Sequence, residues 1–321
     1  MRAARLAPFL PLIVLIASAV VLGLAPILVR LTETGPAAAA LWRFVFALPL
    51  LFLLTHRPGG EGVGRPSKWM ALAGLFFFLD LSFWHYGIVM TSVANATVLC
   101  NLTPVVVTLF AWIVLKERPR AVFVLALALA MIGAFAMAAG ADGGQGTDPL
   151  LGDLFSLSVA LWYAGYFLAV KAARTTAGAI RVILWSTAIP VPLMLAASLV
   201  LGEDILPATL AGWAACAALG VMHVAGQGGV AWALGRVSAA LTAVVILVQP
   251  VVAASLGWIV FGETMTAIQM GGAALVLSAV LTAQWSSRGR PPAALQRQTG
   301  AEPMDSAPVL SSNPEPSGRK D

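Results

Sequence analysis

A seventeen-residue apolar segment is written twice in this chain, 146 positions apart, and this duplication limits the fold more than any other feature. Asn101, Pro104, Trp112 and Glu117 of the first copy correspond to Leu247, Pro250, Trp258 and Glu263 of the second, with Pro, Trp and Glu at identical spacing. The register continues upstream, pairing Gly74 with Gly220, Ser92 with Ser238 and Ala94 with Ala240. Both copies lie in nearly uncharged sequence. A duplicated apolar chain predicts two helical bundles facing each other across a central site.

The apolar character is general. Hydrophobic residues make up 60% of the 321 residues and charged ones 10%, and the mean hydropathy is +0.90. A water-soluble domain of this size carries far more surface charge. Uninterrupted runs of about 20 apolar residues match the thickness of a hydrocarbon layer, and in lipid such runs satisfy their backbone as helices. The class expected is an all-α membrane protein with the lipid bilayer as its solvent. Reading runs between polar breaks gives ten spans: 9–29, 37–55, 69–90, 93–115, 121–140, 150–170, 180–201, 208–233, 239–261 and 266–285. Residues 9–140 and 150–285 then form two five-helix repeats. Residues 286–321, rich in Pro, Ser, Gly and charge, read as a disordered cytoplasmic tail dispensable for the bundle.

Orientation follows from Lys and Arg near span ends. With the N-terminus in the cytoplasm, seventeen of the nineteen Lys and Arg lie inside; the exceptions are Arg30 and the intramembrane Arg43. Both termini are then cytoplasmic. The same distribution argues against nucleic acid as a partner, because the positive charge is spread over loops rather than gathered in a basic patch. Ala17, Ser18 and Ala19 after a basic start resemble a cleavable signal peptide, but the apolar run continues to Val29, which favours a retained span. Five spans per repeat is an odd number, so the second repeat enters the membrane from the opposite side. Glu117 ends its span at the cytoplasmic face and Glu263 at the outer face. Inverted repeats supply a route to alternating access.

With these residues the chain resembles the drug/metabolite transporter superfamily, in its EamA-like branch of ten-helix proteins. The likeness rests on Leu41, Trp42, Arg43 and Phe44 in the second span; on Tyr86, Ser92 and Ala94 leading to Pro104 and Glu117; and on Trp232, Ser238 and Ala240 leading to Pro250 and Glu263. It covers residues 9–285. It implies an inner-membrane carrier, often an exporter, of small amino-acid-like, nucleobase-like or drug-like metabolites. A monomer or homodimer is expected, and the mid-span Asp80 reads as a group for proton coupling or for recognition of a substrate ammonium.

Ionisable groups deep in a membrane are costly and therefore functional candidates. Asp80, His85, Arg43 and His223 qualify. His223 maps onto position 77, one turn before Asp80 and on the same face, so the carboxylate and the imidazole are aimed toward one central space. His85 stands about 140° from Asp80 around its helix and reads as structural. Arg43, about 10 Å from the outer end of its span, either snorkels to the interface or binds a substrate carboxylate. Trp84, Asn101, Gln249, Trp162 and Tyr163 complete the candidate cavity lining. Pro104 and Pro250 interrupt the helical hydrogen-bond ladder and are candidate hinges. Gly220, Gly226, Gly228 and Gly229 make the eighth span slender, for bending or for close packing. Cys100 and Cys216 show no paired spacing and read as packing residues.

No GxxxxGK[ST] phosphate loop and no HExxH occur, and three scattered histidines do not suggest a metal site, so no cofactor and no catalytic role are expected. The favoured function is a secondary carrier for a small-molecule substrate. A membrane-embedded enzyme or lipid-ligand sensor is the alternative, but neither needs two equivalent halves. A channel would call for a more continuous polar lining.

Overall fold

The computed structural model describes residues 9–91, 93–113, 119–139, 147–261 and 266–287, with the backbone alone at several of these, His85 included. Ser92, Glu117, Glu263 and the tail beyond Ser287 lie outside the described residues.

Apolar runs with few competing side-chain hydrogen bonds fold as helices. Those of the first repeat are α1 (Leu10–Leu22), α2 (Ala25–Arg30), α3 (Pro36–His56), α4 (Lys68–Met90), α5 (Val93–Cys100), α6 (Thr103–Ile113) and α7 (Ala121–Ala139). The second contains α8 (Pro149–Ala173), α9 (Ala179–Ala188), α10 (Pro190–Val200), α11 (Leu210–Leu234), α12 (Ala239–Ile246), α13 (Val248–Phe261) and α14 (Ala267–Ser287). Among the described residues the fold is helical throughout. Eight stretches are long and apolar enough to cross a membrane, three of them helix pairs joined across a short break: α1–α2, α9–α10 and α12–α13. The 23-residue α4 and the shorter apolar α6 accompany them. Helix α14 extends to Ser287, two residues past the expected end of the last span.

The breaks fall where proline dictates. A proline within a helix removes one donor and clashes with the preceding turn, so a helix restarts most easily with proline in its first turn. Pro26 and Pro190 open α2 and α10 in this way. Pro104 and Pro250 stand in the first turns of α6 and α13, so the interruptions at 101–102 and at Leu247 fall at equivalent places in the two repeats.

Large apolar side chains such as Ile113, Leu150, Val200 and Leu281 point outward, as lipid-facing surfaces require. Inside, α4 packs along α8, α7 along α14, and α11 against α1 and α3. At the α7–α14 crossing Gly133 and Gly272 meet: a Cβ on either would come within 2.7 Å of the other's carbonyl oxygen. Small residues allow this backbone approach in lipid, where packing rather than water exclusion drives association.

The internal symmetry can be read from contacts. Gly74 on α4 faces Ile189 and Pro190, while its mate Gly220 on α11 faces Phe46 and Ala47. The register slips between Ser67 and Gly74: Ser67 caps α4 and Thr209 caps α11, so α11 starts about one turn earlier than the 146-residue spacing implies. Direction is fixed by hydrogen bonds. The Gly178 N–H at the start of α9 donates to Glu61 in the loop after α3, and Glu203 in the loop after α10 accepts from Ala37 and Ala38 at the start of α3. Helix α3 and the α9–α10 pair therefore run antiparallel, each beginning where the other ends.

Candidate functional site

Phe77 on α4 and His223 on α11, equated by the duplication, stack on each other with ring centroids 5.7 Å apart and planes 18° apart. Residues exchanged by an internal two-fold touch each other only beside its axis, so this pair marks the centre of the bundle. The polar groups gather here. Arg43 on α3 donates from Nε to His223 Nδ1 at 3.1 Å, and His223 Nε2 lies 2.8 Å from Thr187 Oγ1 on α9. An arginine Nε only donates, so Nδ1 carries the lone pair and Nε2 the proton, which it gives to Thr187. A doubly protonated ring would set two donors against each other. The chain thus holds a neutral imidazole and uses one edge of the guanidinium, leaving both terminal amino groups for other partners. Phe44 meets the imidazole edge-on at 5.3 Å, and the guanidinium lies 5.7 Å from the Phe77 ring.

Arg43 is buried, 8% exposed, so it does not snorkel to the interface. Asp80, 7% exposed, lies within electrostatic reach of Arg43. Its register mate is Gly226, so the carboxylate has no counterpart in the second repeat.

Tyr163 on α8 stands within electrostatic reach of Asp80 and Arg43, with the Gln249 and Gln227 amides beside it. Tyr166, one turn further on, stacks on Phe77 at 4.7 Å and donates to Gln227 Oε1 at 3.0 Å. Trp162 on the same helix packs against Phe76 and Phe83. Three candidates leave a buried donor unpaired: Asn101 Nδ2, Gln249 Nε2 and Trp162 Nε1. Such donors are costly in an apolar interior and mark places where a ligand or water supplies an acceptor.

Trp84 lines, with Arg43, Leu81, Ala39 and Ala40, a small cavity of about 30 Å³. That volume holds little more than one or two waters. Of the clustered polar groups only Arg43 lines it. A larger depression of about 400 Å³ beside Val45, Leu48, Pro49, Phe52 and Leu184 lacks charged lining and is the lesser candidate.

The sequence reading aimed Asp80 and His223 at one space, offered Tyr163 and Gln249 as lining and left Arg43 open between two roles; the structure places these five in one region. Asn101 falls at the α5–α6 break. Of the glycines, Gly220, Gly226 and Gly229 pack tightly against Phe46, Leu22 and Ser18, while Gly228 faces open space, so close packing accounts for three of the four. Cys100 and Cys216 are both unpaired packing residues. Thr187, Tyr166 and Gln227 were not anticipated. Two carried a signal: Tyr166 lies one turn after Tyr163, and Gln227 one turn after His223.

A bundle of apolar helices with lipid-facing exteriors and polar groups gathered at its centre defines a polytopic membrane protein. The EamA-like transporter family model matches residues 9–139 and again 150–283, and the chain belongs to that family. It is a membrane transporter. Among its relatives is the pseudopaline exporter CntI of Pseudomonas aeruginosa, 26% identical over 242 residues, covering 75% of this chain and 83% of the relative. An uncharacterized transporter of Archaeoglobus fulgidus is 26% identical over 270 residues, covering 84% and 94%. A solved crystal structure shares the fold with a TM-score of 0.73 at 18% identity, covering 86% of this chain and 98% of that one.

Proposed function

We propose that the protein is a secondary carrier that moves a small polar or amphipathic metabolite, amino-acid-like, nucleobase-like or drug-like, across the inner membrane by alternating access, in the export direction. Ten spans form two inverted five-helix repeats, residues 9–140 and 150–285, with both termini in the cytoplasm. The observation that carries the reading is the buried Arg43–His223–Thr187 chain beside Asp80 at the contact of the two repeats. Opposite charges enclosed at the pseudo-symmetry axis suit a substrate with an anionic group for Arg43. Asp80 takes its ammonium or a coupling proton. Asn101, Gln249 and Trp162 offer donors to the substrate body. Pro104 and Pro250 serve as paired hinges, supported by the helix interruptions at equivalent places. The relative named an exporter supports the outward direction.

Comparing metabolites in cells and medium, with and without the gene, tests this. At least one compound should accumulate inside and fall outside when the gene is absent. Unchanged pools on both sides across growth conditions that express the protein would contradict it.

A further inference from the structure

Among the described residues five helices start with their own cap: Ser67 on α4, Asp148 on α8, Thr209 on α11, Ser238 on α12 and Thr266 on α14 each accept a backbone N–H of the first turn. Helices α3 and α9 do not. Each has glycine at its N-cap, Gly35 (φ −61°, ψ 160°) and Gly178 (φ −66°, ψ 156°), with no side chain to serve. The cap comes from the other repeat. Glu203 Oε1 and Oε2 accept from Ala37 N at 3.2 Å and Ala38 N at 2.9 Å, and Glu61 Oε2 accepts from Gly178 N at 2.6 Å. The glycines leave room for this: a Cβ on Gly35 would stand 2.5 Å from Glu203 Cβ, and one on Gly178 2.7 Å from Glu61 Oε1.

A second bond accompanies each cap. Trp42 Nε1 donates to Ile205 O at 2.7 Å, and Trp185 Nε1 donates to Val63 O at 3.0 Å. Trp185 stands 143 positions after Trp42 and Gly178 143 after Gly35; Glu203 stands 142 after Glu61 and Ile205 142 after Val63. The same latch is therefore built twice, once at each end of the antiparallel α3/α9–α10 pair, and each copy joins one repeat to the other.

We propose that Glu61 and Glu203 are paired gate residues, each closing the central site toward one end of the bundle, and that the carrier opens by releasing one latch at a time. The inference rests on the alternating-access reading. A helix start presents unpaired N–H groups and the positive end of the helix dipole, which a carboxylate holds well. Glu61 is exposed and Glu203 half-buried. Water replaces either carboxylate when the latch opens, so neither state strands a buried charge. Inverted repeats make the two closures equivalent, and a carrier needs two closures that alternate. With both latches made, the cavity beside Arg43 measures about 30 Å³.

The test needs no substrate. In the full chain with Cys100 and Cys216 replaced by Ala, Leu81→Cys places one thiol on the wall of that cavity. A membrane-impermeant maleimide is applied to right-side-out and inside-out vesicles. Glu203→Ala should raise the labelling rate from the side where α3 begins, and Glu61→Ala from the opposite side. The expected change is roughly two- to fivefold, the factor one charge–dipole contact at an exposed helix start supports. Gly35→Ala and Gly178→Ala, which crowd the same carboxylates, should repeat the two shifts should either Glu variant insert poorly. Labelling of the parent from both sides, with rates unchanged by all four variants or raised on the same side by both Glu variants, overturns the gates while leaving alternating access standing. Labelling of the parent from one side only, in every variant, overturns both.

Discussion

Arg43 and His223 hold each other at the centre, so removing the imidazole strands a buried guanidinium. His223→Ala should lower stability by about 1–3 kcal/mol, the cost of leaving a buried polar group unpaired. His223→Gln should cost less, because one amide can accept from Arg43 and donate toward Thr187. Thermal unfolding of the purified protein in detergent measures this; equal losses would show that the chain from Arg43 to Thr187 contributes nothing. The sequence singled out Arg43, Asp80 and His223 because ionisable groups are rare in apolar spans. It could not show that His223 meets Arg43, 180 positions away, rather than Asp80. Position on a helix face is local information, whereas the crossing of α3 over α11 is not. Glu61 and Glu203 were hidden for a related reason: a carboxylate in a polar loop reads as solvated until the helix start it caps is known.

Elements were more legible than contacts. The apolar runs located the helices to within a few residues, since hydrocarbon thickness sets their length. Proline marked the interruptions before α6 and α13. The breaks at Gly23 and before Pro190 went unread, because an apolar run continues through them. The α7–α14 contact was also invisible, as Gly133 and Gly272 show no shared motif in one dimension. Gly133→Val should force these helices apart and cost about 1–3 kcal/mol, the usual range for overpacking. Gly271→Val, beside the contact but facing open space, should cost much less. Unfolding midpoints of the two variants in detergent compare them, and a tolerated Gly133→Val would mean the crossing is not tight.

At the scale of the whole molecule, the duplication predicted two facing halves, and the antiparallel run of α3 against α9–α10 fits that arrangement. Reporter fusions after Gly144 and after Arg174 should report opposite sides of the membrane, outside and inside respectively; the same side for both would break the proposed inversion. The central claim is that the cluster around Asp80 carries transport. Purified protein in liposomes, supplied with the compounds that accumulate in cells lacking the gene, measures it most directly. Wild type should drive their movement down an imposed proton or substrate gradient, with a rate that varies between about pH 6 and pH 8 through Asp80. Asp80→Asn keeps the size and hydrogen-bonding capacity while removing the titratable charge. It should insert normally and abolish gradient-driven movement, or at least its pH dependence. Transport by Asp80→Asn at the wild-type rate across that whole range would contradict the account.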